Sequence, residues 1–237
     1  MLMFLAMKKI FIGRALLLLL FLLANLTGTL AQNKPTLQIR FSPLNVLDLR
    51  AATLQFGAQA TLKSRIGFSI DYGLPYKGLS KQFVKNEEYQ YRNHEYFKLR
   101  GEIIYFFPAA WGHDKANVKP YVSTAVFFSP EEYRKTDNWL VKPDGDYHYE
   151  YSDVNRRMWG TCLKVGLEYY LGQRFLLDAF VGPGLRWIKV DHQTFGEQPG
   201  DYKEPVDFYF EPVDRQEGKF RRLHLGFNVK LGFVMIK

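Results

Sequence analysis

A single cysteine, Cys162, stands in 237 residues, so no internal disulfide can form. No cysteine stands directly after the N-terminal apolar run, and a lipid-anchored N-terminus is therefore not expected. Beyond residue 32, no apolar stretch approaches the roughly 20 residues that a membrane-spanning helix requires. Helical periodicity is almost missing as well, which argues against a helix bundle or an α/β enzyme. Strong charge is also lacking. The formal balance is +8, but Lys8, Lys9 and Arg14 lie in the leader; the rest has 29 basic against 24 acidic residues, or +5. That excess is too mild for a nucleic-acid surface without basic residues interleaved with stacking aromatics. Low-complexity segments, linkers and long repeats are absent, so one domain is expected.

What is present begins with an export signal. Lys8, Lys9 and Arg14 precede the apolar run Ala15–Ala24, and Thr29-Leu30-Ala31 offers small residues for cleavage before Gln32. Residues 1–31 are thus expected to be a signal peptide, with Met7-Lys8-Lys9 a more ordinary start than Met1. The remainder is rich in aromatics, with 15 Tyr and 20 Phe, which favour strands.

Alternation with a period of two runs through the chain. From Leu223 to Met235 every odd position is large and apolar, while the even positions carry His224, Gly226, Asn228, Lys230 and Gly232, broken only by Val234. Similar stretches lie at 53–62, 66–72, 96–107, 156–170 and 175–187, with weaker ones at 36–42 and 118–128. Eight strands result. Connections at 62–65 and 171–174 are tight and 108–117 is moderate; those at 74–92, 129–155 and 192–218 are long. Short turns on one rim and long loops on the other are the habit of membrane barrels. The segment 43–52 is a short exception on the long side. Within 129–155, Tyr147-His148-Tyr149-Glu150-Tyr151 alternates cleanly, so this loop is expected to extend the sheet; Val206–Phe210 does so more loosely.

Alternation alone cannot separate a membrane barrel from a soluble one, because the two are inverted copies. Bulk decides. Trp159, Trp187, Phe97, Phe175, Phe227 and Phe233 exceed what an eight-stranded lumen holds. Gly57, Gly67, Gly160, Gly166, Gly182, Gly184, Gly226 and Gly232 share the polar face, where space would be tight. The polar face is therefore expected inside, and Tyr72, Tyr105, Phe107, Phe128, Trp159, Tyr169, Trp187 and Phe233 should form girdles.

With the opening Phe41-Ser42-Pro43-Leu44-Asn45-Val46-Leu47-Asp48 and the strands Leu54–Ala60 and Phe68-Ser69-Ile70-Asp71-Tyr72, the chain resembles small eight-stranded outer-membrane barrels of the OmpX and OmpA-domain type. It resembles more closely still the outer-membrane β-barrel proteins common in Bacteroidota. The resemblance implies an all-β, eight-stranded antiparallel up-and-down transmembrane β-barrel with long extracellular loops, spanning residues 32–237. Many such barrels end on an aromatic residue read by the barrel-assembly machinery; here Phe233 would serve, short of Lys237.

Candidate chemistry is thin. Barrel deacylases present a His-x-Ser pair, but none of His94, His113, His148, His192 and His224 is followed two positions later by Ser. His192-Gln193-Thr194 comes nearest. The expected inward charges are Lys98, Arg100, Glu102, Arg156, Lys164, Glu168, Asp178, Arg186 and Lys230, richer in bases than acids. Acidic loop residues dipping into the mouth would supply the missing partners. Asp144-Gly145-Asp146 reads as a solvated turn rather than a calcium loop, and Cys162 as an inert inward residue. The functional expectation is a non-enzymatic outer-membrane barrel with a structural or surface-interaction role in the cell envelope. The alternatives are an outer-membrane lipid-modifying enzyme and a narrow pore or solute-binding barrel. No catalytic, cofactor-binding or metal residue is assigned. Outer-membrane lipid and the assembly machinery are the expected partners, nucleic acid is not, and the sequence names no extracellular partner.

Overall fold

The computed structural model describes residues 36–48, 51–62, 65–76, 92–107, 117–201 and 215–236. The expected signal peptide, residues 1–31, lies outside them, as do His113 and Val206–Phe210. Among the described residues, regular structure is almost wholly strand: β1 (Thr36–Ser42), β2 (Thr53–Thr61), β3 (Ile66–Pro75), β4 (Arg92–Tyr96), β5 (Lys98–Phe106), β6 (Val118–Lys142), β7 (Gly145–Leu171), β8 (Phe175–Phe195), β9 (Gln198–Gly200) and β10 (Gly218–Ile236). Eight of them close a ring in the order β1-β2-β3-β5-β6-β7-β8-β10, with β10 returning to β1, and every pairing is antiparallel. The two short strands sit outside the ring, β4 on the far part of β6 and β9 on the far part of β7.

The ring explains the alternation. Successive side chains point to opposite faces, and closure leaves one face for a narrow lumen and the other for the surroundings. Phe227 is 70% exposed on the outside, while its neighbour Asn228 and then Lys230 are buried within. The glycines are inward, as their spacing suggests: a methyl on Gly160 would overlap the Phe127 ring, and one on Gly166 the Tyr121 ring. The inward face is less uniformly polar than the alternation implies. Ile104, Phe106, Tyr121 and Phe180 form an apolar cluster inside the ring.

Tight turns gather on the near rim, where Gly172 takes φ +72° between β7 and β8, a conformation that other residues adopt only under strain. On the far rim, the connection 129–155 extends the sheet as expected, and is strand throughout except for its turn. β6 and β7 stay paired from Val118 opposite Tyr169 to Lys142 opposite Gly145, so the hairpin rises as a ribbon beyond the ring. The short exception at 43–52 has its own explanation. Pro43–Leu47 forms a turn of 3-10 helix lying across the mouth, with Asn45 bonded to Gln55 and to Asn228 (3.2 Å).

Outside, aromatic rings mark two levels. Tyr72, Phe97, Phe128 and Trp159 follow one another around the far side with centroid spacings of 5.8, 6.0 and 4.2 Å, and Trp187 stands opposite Trp159. Tyr105, Phe107, Tyr169, Phe175 and Phe233 mark the near side. Along β7, 10 positions separate Trp159 from Tyr169. At about 3.4 Å each and a tilt of about 40°, they span roughly 26 Å. That matches the apolar band of about 25 Å on membrane barrels. No charged side chain faces outward between the levels on β7, β8 or β10. Val229 lies midway on β10, outward. We expect Val229→Arg to destabilise the lipid-embedded barrel by about 2–4 kcal/mol. Urea unfolding in vesicles measures this, and an unchanged midpoint would place Val229 away from hydrocarbon.

Candidate functional site

The candidate site is the lumen, where the fold brings together a set of buried charged side chains. In its near half, Arg40 of β1 reaches across to Glu168 of β7 and to Asp178 of β8 (2.8 Å). Tyr121 donates to the same Asp178 at 2.6 Å, while Gln59 and Tyr170 donate to Glu168 at 3.0 and 2.8 Å. One layer further along, Lys230 bonds Asp71 (2.8 Å), Lys164 bonds Glu102 (2.7 Å), and Ser123 donates to Glu102 at 2.5 Å. Lys230 also lies 3.9 Å from Glu102, which joins the two pairs. Arg40, Lys164, Lys230, Asp71, Glu102, Glu168 and Asp178 are all buried, so each charge depends on these partners.

Of the expected inward set, Glu102, Lys164, Glu168, Asp178 and Lys230 belong to this network. Lys98, Arg100 and Arg186 instead line a cavity of about 220 Å³ in the far half, with His224, Cys162, Asn45 and Asp48. The base excess read from the strands is concentrated there. Part of it is met as anticipated, by an acid from a connection: Asp48, just after the 3-10 turn, bonds Lys98. Arg156 is inward and buried as expected. It sits beyond the cavity at the base of the ribbon, bonded to Glu131 of β6. Past it the inward face turns apolar, where Tyr133, Val154, Ile188 and Val190 pack together.

Arg40 and Asp71 were missed as members of the set. Both lie at positions that the alternation marks inward, so the strand pattern carried the signal; only the partner across the lumen was invisible. The Cys162 thiol is buried 3.4 Å from the Gly182 carbonyl oxygen, as its Gly-flanked position suggested. Pro143 and Asp144 form the ribbon's turn, just before Gly145 opens β7, and the Tyr147 hydroxyl donates to Asp144 (3.1 Å).

One histidine meets a serine across a ladder rather than along the chain. Ser152 of β7 and His192 of β8 stand 3.0 Å apart, Oγ to Nδ1. A search along the chain cannot find a pair made across a ladder. Ser152 is 0% exposed, so the pair is buried within the ribbon. On the exposed ribbon, Arg134 grips Asp153 with two bonds and holds that carboxyl below the usual carboxylate range. Lys142, and then Thr194, do the same to Glu197.

A closed ring with charge inside, glycine against the lumen and an apolar band of membrane thickness outside decides the architecture. The chain has the fold of a small outer-membrane β-barrel. No family model matches the sequence, and no curated protein matches it. Among solved structures, the barrel is similar to Neisserial surface protein A (NspA), at 14% identity over 85% of this chain and 95% of that one, with a TM-score of 0.34. It is similar also to a major outer membrane protein from Thermus thermophilus (12% identity, 85% and 99% covered, TM-score 0.38). A third is CarO of Acinetobacter baumannii (8% identity, 85% and 96% covered, TM-score 0.38).

The network makes a mutational prediction. Lys230→Met leaves the buried Asp71 carboxylate without its ion-pair partner and should cost about 3–5 kcal/mol. The double variant Lys230→Met/Asp71→Leu removes both charges and should recover most of that loss. Urea titrations in lipid vesicles measure both; a double variant as weak as the single one would show that the pair is not a unit.

Proposed function

We propose that the protein is a non-enzymatic barrel of the bacterial outer membrane, exported by a cleaved signal peptide, with a structural or surface-interaction role in the envelope. The reading rests on the combination of a lumen filled by paired charges and a ribbon raised past one girdle. Filling removes the conduit that a pore needs. The ribbon is the part of the fold that projects beyond the apolar band, with Trp139, Tyr147 and Tyr151 along it as contact residues. In this reading the near rim, with its tight turns, faces the periplasm, and the ribbon faces the cell exterior. Outer-membrane lipid surrounds the wall, and the assembly machinery inserts the barrel with Phe233 as its recognition residue.

The lipid-modifying alternative finds its best histidine–serine pair sealed inside the ribbon. The pore alternative meets Arg40, Lys164 and Lys230 with their acids across the bore. Fractionation should recover a processed chain beginning near Gln32 in outer membranes, migrating faster on gels before heating than after. Reconstituted into planar bilayers, it should show no steady conductance of porin size, and incubation with lipid should yield no products. Stable large channels would overturn the filled-lumen reading, and lipid turnover the non-enzymatic one.

A further inference from the structure

Above the Trp159–Trp187 level, the outer wall carries cations in register. Arg157 of β7 stands opposite Lys189 of β8, and Lys189 stands opposite Lys219 of β10. One row nearer the band, Arg221 stands opposite Trp187 with its guanidinium 5.8 Å from the ring centroid. All four side chains are exposed. Like charges placed directly opposite each other on neighbouring strands repel, so the arrangement calls for a counter-charge. The wall supplies little. Among the described residues, Asp191 bonds Lys189 at 2.8 Å, and Arg157 donates to the amide oxygen of Asn155, whose own N–H donates to Glu132 at 3.0 Å. Glu217, two residues before Lys219, joins no ion pair among the described residues.

The surface beneath is unusual too. β1 ends at Ser42 and pairs with β10 only from Leu231 onward, so among the described residues the far half of β10 has a strand neighbour on its β8 side alone. Leu223, Leu225 and Phe227, at 79%, 65% and 70% exposure, are the most exposed large apolar residues described. They run directly from Arg221 down into the band. A cationic row over a bare apolar strip matches one class of molecule, an anionic head on hydrocarbon chains.

We propose that this face of β7, β8 and β10 is a binding site for a lipid with a phosphorylated headgroup. Arg157, Lys189, Lys219 and Arg221 hold the phosphates, and Leu223, Leu225 and Phe227 take an acyl chain. Arginine forks match phosphate oxygens, and basic residues at the depth of the headgroups attract anionic lipid. The site rests on the membrane reading above, since it needs the tryptophans at the boundary of the hydrocarbon.

The test uses the purified full-length barrel in neutral detergent, with native mass spectrometry reading retained lipid. Diphosphorylated lipid A should stay bound far better than the same lipid stripped of phosphate, and inorganic phosphate should not displace it. Replacing Arg157, Lys189 and Lys219 by Gln should weaken retention about fivefold for each cation lost. Leu223→Ala should weaken both lipids, and Arg174→Gln, at the opposite rim, should change nothing. Heat-modifiability of each variant confirms a folded barrel. Equal retention of the two lipids overturns the site, as does a triple variant that binds as the parent does. So does displacement by an acidic peptide at lower concentration than the lipid requires. A barrel recovered in outer membranes that ignores phosphate would sink the site alone and leave the membrane reading standing.

Discussion

Lys230 of β10 meets Asp71 of β3 across the lumen, and Arg40 of the neighbouring β1 meets Glu168 of β7 and Asp178 of β8. These contacts fasten strands that share no ladder. A ring in lipid gains nothing from burying its outer face, because hydrocarbon is there in either case. Its unpaired edges are forbidden, so it must close. Closure then leaves a lumen too narrow for water to fill as bulk, and side chains must fill it. Charged residues do so only in neutralised groups, and the structure provides them in layers.

The layers account for much else. The glycines face inward because Tyr121, Phe127 and His224 occupy the space that their side chains would take. The far half, where bases outnumber acids, stays partly open as a cavity, and the 3-10 turn after β1 lies across it with Asp48 in place. Beyond the cavity the inward face becomes apolar, and the strands continue out of the band as a sheet with a small core of its own. Lumen and ribbon are thus one continuous inward surface that changes from ionic to apolar along the axis.

The ring itself was legible in the sequence, since period two over residues 221–235 or 156–170 admits no helix and the bulk of the aromatics chose the outer face. Strand ends were not. The extension of the sheet through 129–155 was signalled by Tyr147–Tyr151, but its full length was not, because Glu131, Glu132, Arg134 and Asp153 pair with residues across the ribbon and leave the one-dimensional pattern mixed. Partners were not legible either. Alternation states which wall a residue faces but not which residue lies across the lumen, so the pairings of Arg40, Asp71 and Arg156 come from the structure alone. The Ser152–His192 contact was hidden for the same reason.

The central claim is the direction of the two faces, and β10 tests it most directly. With Cys162 replaced by Ser, single cysteines introduced at positions 226 to 231 can each carry a spin label in lipid vesicles. Lipid-soluble oxygen should relax labels at 227, 229 and 231 strongly and leave those at 226, 228 and 230 shielded. Strong relaxation at the even positions, with shielding at the odd ones, would mean that the apolar face lines the interior, and the account of a charge-filled membrane barrel would be wrong.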